Sequence, residues 1–293
     1  MVAAATGSAE GSDEKMGRLV TITDPAQWED LFTRTVDERP VQFVRPADTD
    51  RPTWATYEGS RYLGTLSAEL DGGRLRWRVQ SSHEAHHELD DAVRALRRPV
   101  SWPRERTQVG HWARRMLADE SLTAVDVETT GLENAFAVQI AAVRRDGSVV
   151  FNEYVQPLAD IEPAAVAVHG IAPERVASAA TFSQLLPALT DVLHGRTVVA
   201  YNMDFDRGVF ERELVRHHGD DTVAKQWLSH CQWQDTMVPY AVWRGLWSVK
   251  RGAYRNQPLG GPHDAVADCR LLLAKLEQMA QAIPADQAPV SHL

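Results

Sequence analysis

Three apolar runs, Leu122–Val127, Ala137–Val143 and Val149–Val155, follow one another across short connections, the second and third joined by the turn Asp146-Gly147. Runs this close together pair as antiparallel neighbours. The pattern then changes. Phe182–Leu193 sets Leu185, Leu186, Leu189, Val192 and Leu193 on one side and stops at Gly195, which is a helix. Thr197–Tyr201 is apolar throughout, as a strand covered on both faces must be. Helices over Asp206–His217 and Asp264–Ala280 follow. Hairpin-linked strands succeeded by helices around a buried strand predict an α/β domain with a mixed sheet.

Ahead of it, residues 17–103 read as a small α+β domain. Pro40–Val44 is a strand, and Tyr62–Val79 holds two strand-like runs around Asp71-Gly72-Gly73. In the second run Leu75, Trp77 and Val79 alternate with Arg74, Arg76 and Arg78, giving one apolar and one basic face. Ser81 and Glu84 stand at capping-box spacing before a helix carrying Leu89, Val93 and Leu96 on one stripe. Pro99 and Pro103 close this domain and place the boundary at Arg98–Arg106. A linker helix around Val109–Leu117 opens the second domain, which runs over 104–281. Residues 1–16 and 282–293 read as disordered tails, with Met16 as an alternative start.

Composition narrows the function. The chain is 44% hydrophobic and 24% charged, and no apolar run approaches the ~18–20 residues of a membrane helix. Two cysteines, Cys231 and Cys269, supply neither a disulfide framework nor a thiolate metal site, which points to a reducing compartment, the cytoplasm. A net charge of −9 excludes a protein that coats duplex DNA by bulk electrostatics. It leaves room for an enzyme acting on a strand end, because catalytic carboxylates also count as negative.

Five residues carry the chemistry. Asp126 and Glu128, at i and i+2 on the end of an apolar strand, project from one face and make a platform for a cation. Asp206 opens a helix just past Thr197–Tyr201, and Asp268 lies one turn into the last helix. His263 precedes that helix, beside Gly260-Gly261-Pro262. Taken singly, each is equally a solvated strand end, a helix-start acid, a cap or a surface charge. Their joint order, each at the border of a regular element, is what singles them out.

That order resembles the DnaQ-like, or DEDDh, 3′→5′ exonucleases, a family similar here to the epsilon proofreading subunit of bacterial DNA polymerase III. The matching segments are Val125-Asp126-Val127-Glu128-Thr129-Thr130-Gly131-Leu132, Val199-Ala200-Tyr201-Asn202-Met203-Asp204-Phe205-Asp206 and His263-Asp264-Ala265-Val266-Ala267-Asp268. Val168-His169-Gly170-Ile171 and Gln234-Asp235-Thr236 match further recurring features, and the resemblance covers residues 108–281. Two departures stand out. Tyr201 and Met203 replace the family's His and Ala, and Trp243–Pro262, rich in Trp, Lys, Arg and Gly, is unlike the helical segment of the epsilon subunit.

The resemblance implies a ribonuclease H-like fold and hydrolysis of phosphodiester bonds at 3′ ends of single-stranded DNA or RNA. It implies two divalent cations, Mg²⁺ or Mn²⁺, held by Asp126, Glu128, Asp206 and Asp268. Hard cations of this kind take oxygen ligands, and a pair of them about 3.5–4 Å apart activates water and stabilises the leaving oxygen. His263 is then the general base, an imidazole having an ordinary pKa of ~6.5. Five residues from Asp268, roughly 140° around a helix, His263 is expected to reach in from the preceding loop. Thr129, Thr130, Gly131, Leu132, His169, Asn202 and Phe205 become candidate substrate contacts. For His169 and Asn202 the competing reading is a side chain bonded to backbone, and for Phe205 it is the core.

Two basic regions remain. Lys250, Arg251 and Arg255, interleaved with Trp247 and Tyr254, either bind phosphates and stack bases or form a loop anchored by its aromatics. Arg74, Arg76 and Arg78, with Arg94, Arg97 and Arg98, either extend a nucleic-acid track or form a solvated face; His83, His86 and His87 read as helix-surface residues. The N-terminal domain is also a candidate contact for a polymerase or repair complex. RNA trimming, and docking with little activity, are the alternatives to a DNA exonuclease.

Overall fold

Residues 28–47, 52–248 and 250–281 are described by the computed structural model. The tails expected to be disordered lie outside these residues. The chain divides between Leu96 and Arg97 into two compact units.

In the first unit, β1 (Leu31–Val36), β2 (Arg39–Val44), β3 (Thr53–Glu58), β4 (Arg61–Asp71), β5 (Arg74–Val79) and β6 (Ala85–His86) pair in chain order. Every neighbouring pair is antiparallel. Val41, Phe43, Trp54, Leu66, Trp77 and Val79 alternate inward and meet Leu89, Ala92, Val93 and Leu96 of helix α1 (Leu89–Leu96). The capping box expected at Ser81 and Glu84 does not form. Val79 N donates to Glu84 O at 2.8 Å and His83 N to Val79 O at 2.8 Å, with His83 at φ 58°, so these residues turn β5 into β6 and the helix begins at Leu89. Backbone pairing satisfies two groups at once, where the cap offers one side-chain bond.

The basic face of β5 is largely matched within the unit. Arg78 forks onto Glu69 at 2.7 and 2.8 Å, and Arg76 meets Asp71 at 2.5 Å, both acids lying on β4. Arg94 bonds Asp37 at 2.9 Å and Asp91 at 2.8 Å.

The second unit opens with α2 (Trp102–Ala118), seven residues earlier than the expected linker helix, and Pro103 stands in its first turn. Proline suits that position because the missing N–H has no helical partner there, so Pro103 starts a helix where a domain end was expected. The strands are β7 (Thr123–Thr129), β8 (Ala137–Arg144), β9 (Val149–Tyr154), β10 (Thr197–Ala200) and β11 (Gln232–Asp235). They lie in the order β11-β10-β7-β8-β9. β10 runs parallel to β7 and β11, while β8 is antiparallel to β7 and β9, which is the mixed sheet of a ribonuclease H-like domain.

Helices α3 (Pro163–His169), α4 (Pro173–Val176) and α5 (Phe182–Leu193) follow β9. α6 (Met203–His218) and α7 (Asp221–Ser229) link β10 to β11, and α8 (Met237–Arg244) follows β11. A two-stranded hairpin of β12 (Trp247–Ser248) and β13 (Ala253–Tyr254) precedes the last helix, α9 (Ala265–Gln281). Alternation along β7 sorts the faces. Val125 and Val127 join Leu186, Leu189, Val209, Phe210 and Leu214 of α5 and α6. Ala124 joins Leu272, Leu276 and Tyr240 of α9 and α8, so the even-numbered Asp126 and Glu128 look toward α9. No helix among the described residues is long and apolar enough to cross a membrane.

Candidate active site

The carboxyl-terminal ends of the parallel strands β7 and β10 bring the acids together. Asp206, one turn into α6, accepts a hydrogen bond from Val127 N at 3.1 Å, which ties the start of α6 to β7 between Asp126 and Glu128. From the other side α9 contributes Asp268. Ligand atoms of Glu128, His263 and Asp268 lie within 4.8 Å of one another, and among the described residues this is the cluster able to hold a metal ion. His263 enters from the loop before α9 with φ 56°, a left-handed backbone that breaks the helical register and turns its ring toward Asp268.

The site concentrates unscreened negative charge. Asp206, Asp268 and Glu128 are buried, and Asp126 is half-buried. Burial, then the carboxylates of Asp206, Glu128 and Asp268, hold Asp126 well above the ordinary carboxylate range. Burial, then Asp268 and Asp264, push Glu128 up to about 7. Asp206 is raised because burial outweighs the Val127 N–H, and Asp268 is raised by burial, with His263 opposing. Asp268 Oδ1 is buried without a hydrogen-bond partner. A buried acceptor lacking a donor, among acids that no lysine or arginine of the described residues neutralises, is the donor set of a hard divalent cation. The glycine before Pro262 serves the same geometry: a Cβ at Gly261 would collide with the Asp268 carboxylate.

Beside the acids, residues 129–137 form a braced loop. Thr129 Oγ1 donates to Gly131 O at 2.7 Å, and Thr130 Oγ1 accepts from Phe136 N at 3.0 Å. Both threonines are buried, and these bonds of their hydroxyls shape the loop. A Cβ at Gly131 would strike the Glu162 carboxylate; this glycine makes room for a side chain of the protein itself. Leu132, 81% exposed at the tip, is the apolar group presented outward.

His169 is occupied by backbone. Its Nδ1 accepts from Ile171 N at 3.0 Å, which leaves Nε2 to donate to Thr129 O at 3.1 Å. It therefore supports the loop from behind. Phe205 is half-buried and packs against the core formed with α5 and α6, the competing reading of this residue. Asn202 stands exposed at the cap of α6 without a side-chain capping bond.

Further supports went unread in the sequence. Buried Glu213 accepts from Ala137 N at 2.9 Å, and Arg216 donates to Asn134 O at 2.7 Å and Ala135 O at 3.2 Å. Thus α6 clamps the far end of the 129–137 loop. The signal was present: Asp206, Val209, Phe210, Glu213 and Leu214 fall on one helical stripe, and an acid on an apolar stripe needs a partner. Glu213→Ala strands the Ala137 N–H and is expected to cost about 1–3 kcal/mol in urea unfolding, with Glu213→Gln retaining most of the stability. An equal loss in both variants would contradict the clamp.

Asp235, within the segment Gln234-Asp235-Thr236, accepts from Met203 N at 3.1 Å and from Val238 N at 2.8 Å, anchoring the starts of α6 and α8. Tyr201 is buried, and its hydroxyl donates to Gln257 O at 2.7 Å. The residue that departs from the family pattern thus holds the segment leading to His263. Tyr201→Phe keeps the ring and deletes that bond. It is expected to lower kcat by about threefold to tenfold through a displaced histidine loop, while the fold, followed by circular dichroism, stays intact.

The chain is similar to known exonucleases. The RNase_T exonuclease family matches residues 123–276. An uncharacterized exonuclease of Escherichia phage 186 is 28% identical over 181 residues, which span 58% of this chain and 92% of the phage protein. The epsilon subunit of DNA polymerase III from Escherichia coli K12 is 32% identical over 101 residues, 31% of this chain and 42% of that subunit. Among solved structures, exonuclease X in complex with 5′ overhanging duplex DNA shows 27% identity over 55% of this chain and 91% of its own, with a TM-score of 0.38. With its acidic strand ends, its mixed sheet and a family match over more than half its length, the chain belongs to the DnaQ-like exonuclease family and is a nuclease of the hydrolase class.

Proposed function

We propose that this protein is a 3′→5′ exonuclease that hydrolyses the terminal phosphodiester of single-stranded DNA and releases nucleoside 5′-monophosphates. The observation that carries this reading is the convergence of Glu128, His263 and Asp268 on one point, beside Asp126 and Asp206. Asp126, Glu128, Asp206 and Asp268 are the residues to hold two divalent cations, Mg²⁺ or Mn²⁺. When bound, such cations neutralise the scissile phosphate and lower the pKa of water. His263, exposed on its loop, takes the proton of the attacking water and passes it to solvent. The braced loop with Leu132 and the exposed Asn202 receive the terminal nucleotide.

Relatives named as DNA polymerase III subunits favour DNA over RNA as substrate. The first unit matches most of its strand and helix arginines with its own acids, which suits a protein partner, such as a polymerase or repair complex, better than a phosphate track. Both cysteines are buried free thiols, in keeping with the cytoplasm. Incubation of 5′-labelled 20-mers of DNA and RNA with Mg²⁺ or Mn²⁺ tests the reading. The expected result is a ladder shortening from the 3′ end, faster on DNA, with mononucleotide products. Internal cuts, or early loss of the 5′ label, would refute it.

A further inference from the structure

The hairpin between α8 and the His263 loop separates its charges from its aromatics. Tyr254 is committed: its hydroxyl donates to Glu105 Oε2 at 2.6 Å, and Trp247 packs edge-on against its ring at 5.0 Å. These two rings pack on each other and anchor the hairpin. Lys250, Arg251 and Arg255 are exposed, and among the described residues their side chains meet no acid. This contrasts with the first unit, where Arg76, Arg78 and Arg94 are matched by Asp71, Glu69 and Asp37. Nor do the neighbouring arginines at the start of the second unit form a free track, since Arg97 is buried and Arg98 donates to Gly245 O at 2.8 Å.

The scaffold under these charges is fixed. Ser248 O accepts from Gly252 N at 2.8 Å, with Gly252 at φ 61° making the turn, and Arg255 N donates to Leu246 O at 2.8 Å. Beyond Arg255 the backbone is held at Gln257 by Tyr201, and Leu259 packs against the α2, α8 and α9 core. Gly261 then lies against Asp268. His263 lies eight positions after Arg255, at most ~29 Å of extended chain. The three cations are thus carried in a set register with the catalytic acids, on an otherwise acidic protein.

We infer that Lys250, Arg251 and Arg255 bind the phosphates of the substrate strand on the 5′ side of the cleaved end, so that the hairpin grips the strand beyond its terminal nucleotide. The inference rests on the exonuclease reading and extends it from the terminal nucleotide to the strand. Phosphate is the chemistry that exposed, unpaired guanidinium and ammonium groups recognise, and the affinity they give is salt-dependent.

The test compares wild type with K250S/R251S/R255S, using a 20-mer DNA strand and a dinucleotide. Binding of the 20-mer is followed by fluorescence anisotropy with Ca²⁺ in place of Mg²⁺, over a range of salt concentrations. Loss of three phosphate contacts is expected to weaken binding at least tenfold and flatten the log–log salt slope by about 2. KM for the 20-mer should rise in step, while KM for the dinucleotide moves by less than about twofold. K250R/R251K/R255K, which keeps the charges, should restore strand binding and so separates charge from folding. Equal affinity and slope in wild type and the serine variant would overturn the inference, as would a wild type that does not bind the strand or binds an acidic protein in its place. A wild type that binds the strand with the expected salt dependence but hydrolyses neither substrate would overturn the exonuclease reading and leave the hairpin's role standing.

Discussion

Replacing His263 by alanine should lower kcat for release of nucleoside monophosphates by roughly 10²–10⁴-fold, the range for loss of a positioned general base. KM should change little. The ring is exposed and is held by a loop, so its removal leaves no cavity in the core. Asp126→Ala should do at least as much, about 10³-fold or more, because it removes charge from the point where the transition state gathers its own. The two variants should differ in metal dependence. His263→Ala keeps all four carboxylates and so its Mn²⁺ response, whereas Asp126→Ala requires far more Mn²⁺ or loses the response. Steady-state kinetics over a Mn²⁺ titration measure both, and activity near wild type in either variant would remove that residue from the chemistry.

Metal removal should have the second large effect, on stability as well as activity. In the metal-free protein Asp126 and Asp206 are raised and Glu128 is pushed up to about 7, so the folded state holds protons that the unfolded chain has released. Such groups contribute stability that is fully present below the unfolded carboxylate pKa, ~4, and is lost as pH rises through the folded values. The melting temperature of EDTA-treated protein should therefore fall between pH 5 and pH 8. Added Mn²⁺ should reverse the trend, since at 100 times its Kd a ligand stabilises by about 2.7 kcal/mol. The rise should be several degrees at pH 8 and smaller at pH 5, where protons compete for the same oxygens. A metal-free melting temperature that climbs steadily from pH 5 to pH 8 would show that these acids are not crowded together in solution.

Much of this site could be read from local patterns. The pair Asp126 and Glu128 follows from the two-residue period of a strand, and the helix Phe182–Leu193 from its apolar stripe, with the same bounds in the structure. What stayed hidden was long-range. Nothing in the neighbourhood of Thr129 or Thr130 tells that their hydroxyls bond Gly131 O and Phe136 N, or that Gly131 yields its space to Glu162. Tyr201 looked like a bare departure from the family pattern, because its partner, the carbonyl of Gln257, lies 56 residues away. The false helix start at Ser81 has a similar origin. Capping spacing is local, and it was overridden by the pairing of β5 with β6. Short polar patterns fail where a backbone ladder or a distant carbonyl competes for the same group.

The most direct measurement is anomalous diffraction from crystals soaked in Mn²⁺ with a nucleoside 5′-monophosphate. Two manganese peaks are expected, bounded by Asp126, Glu128, Asp206 and Asp268, one of them on Asp268 Oδ1, with the phosphate against both and His263 facing it from the loop. Manganese bound elsewhere at full occupancy, with these four carboxylates left without a cation, would contradict this expectation.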